Sequence, residues 1–261
     1  MLAFGGGLNA TLDGGNISDT QAGSTVLVLA ASTLTVQSTI CAENKARKGT
    51  LCGYYSSRLV VHQATFANNA AEVAGGGRYL LGSNCTVLDS RFDQNMAEEL
   101  VGAAYVKFSS LHVNSTVFIS NTAPIGGAVT VYGNSYVAAR AEFTYCSLLN
   151  NTARPLASSG DPLKTGVTYT LGVGGALYVE RSSISITSSR VWGNIALVDG
   201  GECRDTQGVT RELRAKAPRV VRRLCGGGIM YVVAHRASHS VRGLWLAADC
   251  CSTDADVSQS S

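Results

Sequence analysis

Residues 118–133 read FISNTAPIGGAVTVYG. A large apolar residue, Phe118, is followed three positions on by Asn121, then by Gly126, Gly127 and Ala128, then by an alternating run. The same order recurs along the chain. Cys41 precedes Asn44, Phe66 precedes Asn69, Phe92 precedes Asn95, Leu148 precedes Asn151 and Val191 precedes Asn194 at the same offset. The Asn residues are spaced by 25, 26, 26, 30 and 43 positions. A unit of about 25 residues therefore repeats, and the last two units carry insertions.

Two further positions keep step with this anchor. Apolar pairs precede it at fixed distance: Leu34/Val36, Leu59/Val61, Cys85/Val87, Leu111/Val113 and Ile184/Ile186. Earlier still lie small-residue clusters that lead into a tyrosine: GGGRYL with Tyr79, VGAAYV with Tyr105, GGALYV with Gly174, Gly175 and Tyr178, and GGGIMYV with Tyr231. The coil that fits worst places Gly53 at the tyrosine position, and Thr130 holds it in the opening stretch. Each unit thus contains three short segments of period two, separated by Gly or Asn turns. No segment has a useful period of 3.6.

Three short strands per repeat predict an all-β right-handed parallel β-helix, a solenoid of about seven to eight coils rising about 4.8 Å each. In it Phe118 points inward and stacks on Phe92, and Phe92 on Phe66. Asn121 sits at a corner, where its amide bonds the backbone and the next coil's Asn. Gly126 and Gly127 supply a corner with positive φ. Arg78 departs from the pattern, because Ala104, Val129, Leu177 and Met230 hold its place in other units. Either the register shifts there or the arginine is paired.

The GGA-apolar-x-V and F-x-x-N motifs, recurring in step, resemble the repeats of polymorphic outer membrane proteins, within the wider pectin-lyase-like group of β-helices. TLDGGNISD…LTV, within residues 11–36, is similar to the opening coil of such proteins. The resemblance covers residues 5–201. It implies the β-helical fold and leaves function open, because that group is functionally diverse.

The repeat divides the chain into a β-helix over residues 1–201 with a loop insertion at 154–171, a basic insertion at 202–225, a degenerate final coil at 226–249 and a polar tail at 250–261. Residues 202–242 hold nine Lys/Arg against three Asp/Glu. With 15% charged residues, 45% apolar residues and a net charge of +3, the chain is too apolar for disorder and is not expected to bind nucleic acid. No apolar run reaches the roughly 18 residues of a membrane span. The N-terminus shows no signal peptide and neither end shows a cap, so the expectation is a fragment or a chain whose start is misplaced. Eight Cys and five sequons, at Asn9, Asn16, Asn84, Asn114 and Asn150, tilt the reading toward an extracellular or cell-surface glycoprotein.

Enzymes on this fold need clustered carboxylates, or a base beside a calcium site, on one outer face. The one stacked acid pair expected is Glu72 with Glu98, about 5 Å apart on successive coils; a corner ladder with Arg47 is the simpler reading of it. Polygalacturonase motifs are absent. His62 and His112 fall at different strand positions, His235 and His239 lie in the degenerate coil, and no metal or cofactor is expected. Tyr79, Tyr105, Tyr178 and Tyr231 form a column that faces out if Val131 and Val179 face in. Such an aromatic stripe would stack sugar rings, unless a loop covers it. Three functions follow as expectations: a non-catalytic structural or adhesive rod whose partner is a polysaccharide or a cell-surface protein, a polysaccharide lyase or hydrolase, and a carbohydrate-binding module built on the tyrosines.

Overall fold

Each sequence unit forms one turn of a parallel β-solenoid in the computed structural model. The model describes residues 2–134, 136–154 and 174–198, and beyond these the short strands Gly201–Glu202, Gly208–Thr210, Met230–Val233, His239–Arg242 and Trp245–Ala247. Most of the insertion at 154–171, most of the basic segment 202–225 and the whole tail 250–261 lie outside the described residues. No described residue is helical, and no helix is long and apolar enough to cross a membrane.

One turn shows the plan. Arg78–Leu81 belongs to sheet I, Asn84–Leu88 to sheet II, Arg91–Asp93 to sheet III and Met96–Ala97 to sheet IV. Each pairs in parallel with its equivalent on the next turn: Ala104–Lys107, Ser110–Asn114, Val117–Ile119 and Thr122–Ala123. Six turns, from Val26 to Val198, have paired neighbours on both sides. The fourth strand was not anticipated, yet it has a sequence signal. Two residues after each ladder Asn stands an alanine: Ala46, Ala71, Ala97, Ala123, Ala153 and Ala196. All six are buried, and Ala71, Ala97 and Ala123 pack on one another as a small column of their own.

Inward positions alternate along sheets II and III because successive strand residues point to opposite faces. The core column of sheet III runs Cys41, Phe66, Phe92, Phe118, Leu148 and Val191. Phe66 and Phe92, then Phe92 and Phe118, stack with ring centroids 4.9 Å apart, the rung spacing itself. Phe143 from sheet II meets Phe118 edge-on at 6.1 Å. Leu51, Arg78, Ala104, Val129 and Leu177 stay in register on sheet I, so no shift occurs at Arg78. The shift lies one coil earlier. Cys52, not Gly53, pairs with Tyr79. The turn after that strand holds two left-handed residues, Tyr55 and Ser56, where the next coil has Gly82 alone.

Three polar ladders close the corners. Asn44, Asn69, Asn95, Asn121, Asn151 and Asn194 are all fully buried. Asn95 is typical: its Oδ1 accepts from Asn69 N and Nδ2 at 3.2 and 2.9 Å, and its Nδ2 donates to Asn121 Oδ1 at 3.0 Å and Phe66 O at 2.9 Å. The residue before each Asn takes a left-handed φ, including Glu43, Asn68, Gln94, Ser120 and Asn150. The second ladder joins sheets II and III: Ala64 N donates to Ser90 Oγ, Ser90 N to Thr116 Oγ1, and Cys146 N to Ser189 Oγ. The third joins sheets I and II through Ser57, Ser83, Ser109 and Ser182. Only the first was legible, because Ser and Thr are common on outer faces too.

Gly126 has φ of +60°, the left-handed corner anticipated for it. Gly127 does not. A Cβ at Gly127 would sit 2.2 Å from Gly175 O and 2.7 Å from the Thr152 backbone, so close approach of neighbouring turns excludes a side chain there. Gly174 repeats the positive φ at +71°.

Removing the Asn95 amide takes one hydrogen bond from each of four buried groups; Asn69 Nδ2 keeps Cys41 O and Asn121 Oδ1 keeps the Asn95 backbone N–H, while Asn69 N and Phe66 O lose their bond to this side chain, at roughly 1–3 kcal/mol for a group left unsatisfied. Asn95→Ala is expected to cost at least about 3 kcal/mol, while Asn84→Ala on the exposed face stays within about 0.5 kcal/mol. Urea unfolding of the two variants checks this; equal midpoints would remove the ladder from its structural role.

Candidate functional site

In the six turns from Val26 to Val198, sheet II has the longest strands, five residues each, and an outward face open to solvent. Its central outward column runs Thr35, Val60, Thr86, His112, Glu142 and Ser185. Several charged groups on and beside this face pair with one another. His62 Nε2 lies 3.3 Å from Asp89, His112 Nδ1 lies 2.9 Å from Glu142, Arg140 also bonds Glu142, and Arg91 bonds Asp93 at 2.7 Å. Burial nudges the Glu142 carboxyl upward, but the Arg140 hydrogen bond and charge, then His112, carry it below the usual range. His62 and His112 occupy different columns, in register with Leu88 and Thr86 respectively. Among the described residues no group of three His, Cys, Asp or Glu is placed to hold a metal ion.

The tyrosine column requires a correction. Tyr79 and Tyr105 do point away from the main core, but they are only 8% and 7% exposed. The segments joining sheet IV to sheet I cross in front of them. Ala74 and Val101 from these segments are fully buried against Cys52, Tyr54, Tyr79 and Tyr105, with Val73 and Leu100 packed alongside. The rings contact each other at 5.5 Å for Tyr54–Tyr79 and 5.3 Å for Tyr79–Tyr105. Lys48 Nζ lies 5.3 Å above the Tyr54 ring. Tyr178 is half-buried, and Tyr231 pairs with it on Met230–Val233. At Tyr79 and Tyr105 the column is thus a second hydrophobic layer, not an open sugar platform. The overlying apolar residues, Val73, Ala74, Leu100 and Val101, were the sequence signal for it. Among the described residues, the aromatic side chains open to solvent are Tyr55 at 65%, Tyr136 at 94% and Tyr145 at 65%, all outside the strands.

Glu72 and Glu98 follow Ala71 and Ala97, which pair across sheet IV, so they lie on successive turns and both are exposed. No ion pair joins either of them to Arg47 among the described residues. The five sequon asparagines, Asn9, Asn16, Asn84, Asn114 and Asn150, are all exposed. The first, third and fourth lie on sheet II, and Asn16 lies on sheet III. The cysteines read differently from the expected secreted pattern. Cys41, Cys52, Cys85 and Cys146 are buried and free, filling column positions as small hydrophobes. Burial pushes the Cys41 and Cys52 thiols up to about 12. Cys203, Cys225, Cys250 and Cys251 lie outside the described residues.

Two outcomes are expected from this geometry. Tyr105→Ser removes a packed ring and costs about 3 kcal/mol, whereas Tyr145→Ser stays within about 0.5 kcal/mol; differential scanning calorimetry distinguishes them. Glu142 ionises more readily folded than unfolded, so its contribution is present above the unfolded carboxyl value and lost as pH falls through the folded one. Glu142→Gln therefore flattens the acid side of the urea-midpoint profile between about pH 5 and 3; an unaltered profile would show that the pair adds nothing.

Comparison with known proteins adds one sequence likeness. The chain is 32% identical over 93 residues to the metabotropic glutamate receptor-like protein R of Dictyostelium discoideum. The match takes in 35% of this chain and 6% of that protein, so it spans a small part of the relative's length. No protein-family model matches the chain, and no solved structure matches it.

Proposed function

We propose that this chain is a non-catalytic extracellular or cell-surface rod with a structural or adhesive role, presenting its outer faces to a polysaccharide or a cell-surface protein. One observation carries the reading. The inward positions are closed by packing and by the Asn ladder, while the outward columns of sheet II stay in strict register and carry Thr, Ser, Asn and paired charges. A flat, polar and repeating face offers multivalent contact, in which many weak contacts at fixed spacing add up. The exposure of all five sequon asparagines is compatible with an extracellular setting. The β-helical likeness to polymorphic-outer-membrane-type and pectin-lyase-like repeats supports the same reading, as an analogy of fold.

A second reading, a polysaccharide lyase or hydrolase, rests on Glu72 and Glu98, exposed on successive turns. One experiment addresses both. The chain is assayed on a panel of acidic and neutral polysaccharides, with and without calcium, for retention and for release of new chain ends. The rod reading expects retention without release, and at least tenfold weaker retention after Thr86→Arg with Thr144→Arg on the sheet II face. Chain ends released by the parent and abolished in Glu72→Gln/Glu98→Gln would replace it with the enzyme reading.

A further inference from the structure

The corners of the solenoid differ in what they show to solvent. On three successive turns the left-handed residues between sheets II and III are Gln63, Asp89 and Ser115, and those between sheets III and IV are Asn68, Gln94 and Ser120. The same turns place Tyr55, Gly82 and Phe108 between sheets I and II, with φ of +51°, +61° and +51°. A left-handed φ suits Gly82 and disfavours a bulky side chain, so the two aromatic rings stand where the backbone alone would not choose them. The row continues at both ends. Leu8 precedes it at 57% exposure, and Tyr136 and Val137 follow it at 94% and 47%. No other corner of the described residues carries such a run.

The row is anchored at its base. The Tyr55 ring meets Tyr54, and the half-buried Phe108 ring meets Tyr132, each with centroids 6.0 Å apart. Tyr54 and Tyr132 belong to or pack against the second hydrophobic layer. Gly82 leaves a notch between the two rings, because a Cβ there would meet nothing nearer than Tyr55 Cα at 4.0 Å. The margin is cationic. Lys107 Nζ lies 5.4 Å from the centroids of both Phe108 and Tyr132, and Arg58, three residues after Tyr55, is exposed. Neither cation has an ion pair among the described residues. The adjacent first column of sheet II, Asn9, Thr33, Arg58, Asn84, Ser110 and Arg140, contains no carboxylate.

We propose that the corner between sheets I and II is a docking surface for an extended acidic peptide segment of a partner protein. Apolar side chains of that segment pack on Tyr55 and Phe108 and enter the notch at Gly82, and its carboxylates meet Lys107 and Arg58. Charge complementarity sets the acidic character of the partner. The ring geometry favours a peptide over a glycan. The Tyr54–Tyr55 and Phe108–Tyr132 planes are tilted by 43° and 55°, so the rings share no flat platform for stacked sugars, whereas a notch beside a ring receives a side chain. Aromatic side chains packed at their base lose little freedom on binding and carry much of the energy of protein contacts. From Leu8 to Tyr136 the row crosses successive rungs over roughly 24 Å, the length of about seven residues of extended chain. This contact is separate from the polysaccharide contact on the sheet II face and does not depend on it.

The test is selection of phage-displayed random peptides on the full chain, with the recovered peptides measured by fluorescence polarisation. The expected consensus places Asp or Glu around an aromatic or aliphatic residue. Binding is expected to weaken at least tenfold in Tyr55→Asn/Phe108→Asn, where asparagine accepts the left-handed φ. Arg58→Glu/Lys107→Glu is expected to reject the acidic peptides and to bind the same peptides with their acids replaced by Lys. Tyr145→Ser, and Thr86→Arg with Thr144→Arg on sheet II, are expected to leave binding unchanged. No enriched sequence, a consensus without acidic residues, or affinity unchanged in Arg58→Glu/Lys107→Glu overturns the proposal. So does loss of peptide binding in the sheet II variant, which would move the contact to that face, and so does binding of a polyuronate or of anionic lipid vesicles with no peptide selected. If Tyr55→Asn/Phe108→Asn fails to fold, the charge reversal alone decides.

Discussion

A stacked solenoid must satisfy every backbone group at a corner where the chain turns and the sheets are interrupted. Here one side chain does most of that work. From Asn44 to Asn151, each ladder Asn accepts from the backbone and side chain of the preceding turn, donates once to the next turn's Asn and once back to a carbonyl of the preceding turn, so its four bonds fix both the corner and the register. A one-residue slip would break all of them and move every core residue to the outer face. The phenylalanine stack, the alanine column and the two hydroxyl ladders all presuppose that register. The left-handed residues before each Asn are held by it as well. Glu43, Gln94 and Ser120 are not natural occupants of that region, and the surrounding bonds hold them there.

With register fixed, the interior tolerates variety in a way that a globular core does not. A column position is filled turn by turn, so Cys41, Phe66 and Leu148 stand at equivalent places, with Phe143 across the core compensating in volume. Arg78 is the extreme case. It takes a position otherwise held by aliphatic residues without moving the strand, because Ala104 gives it room and two aromatic faces and a sulfur surround the charge. The solenoid separates two demands that usually conflict: backbone pairing sets position, and side-chain packing adjusts around it.

The outer side of sheet I carries a second lesson. Alternation correctly directs Tyr79 and Tyr105 away from the main core, yet outward does not mean exposed. The six-residue crossings from sheet IV to sheet I run over them and build a small second layer with Tyr54, Ala74 and Val101. Sheet II has no such covering and keeps its polar columns open. That asymmetry makes sheet II the face on which the proposed partner contact is placed.

The sequence by itself determined the repeat, the all-β solenoid, the inward columns of sheets II and III and the Asn ladder. These depend on periodicity and on one residue type at one spacing, and both are written in the order of residues. The fourth strand was legible in principle through the alanine after each Asn. Only the tertiary structure decided which outward faces are open, because covering depends on the path of a connecting segment, not on the strand it covers. It also decided that Glu72 and Glu98, expected on successive turns, have no Arg47 partner there, that Gly127 serves close approach where Gly126 serves a turn, and that Arg78 meets Cys85. Those contacts join residues whose proximity is created by stacking and by the reach of long side chains, and no periodicity records either.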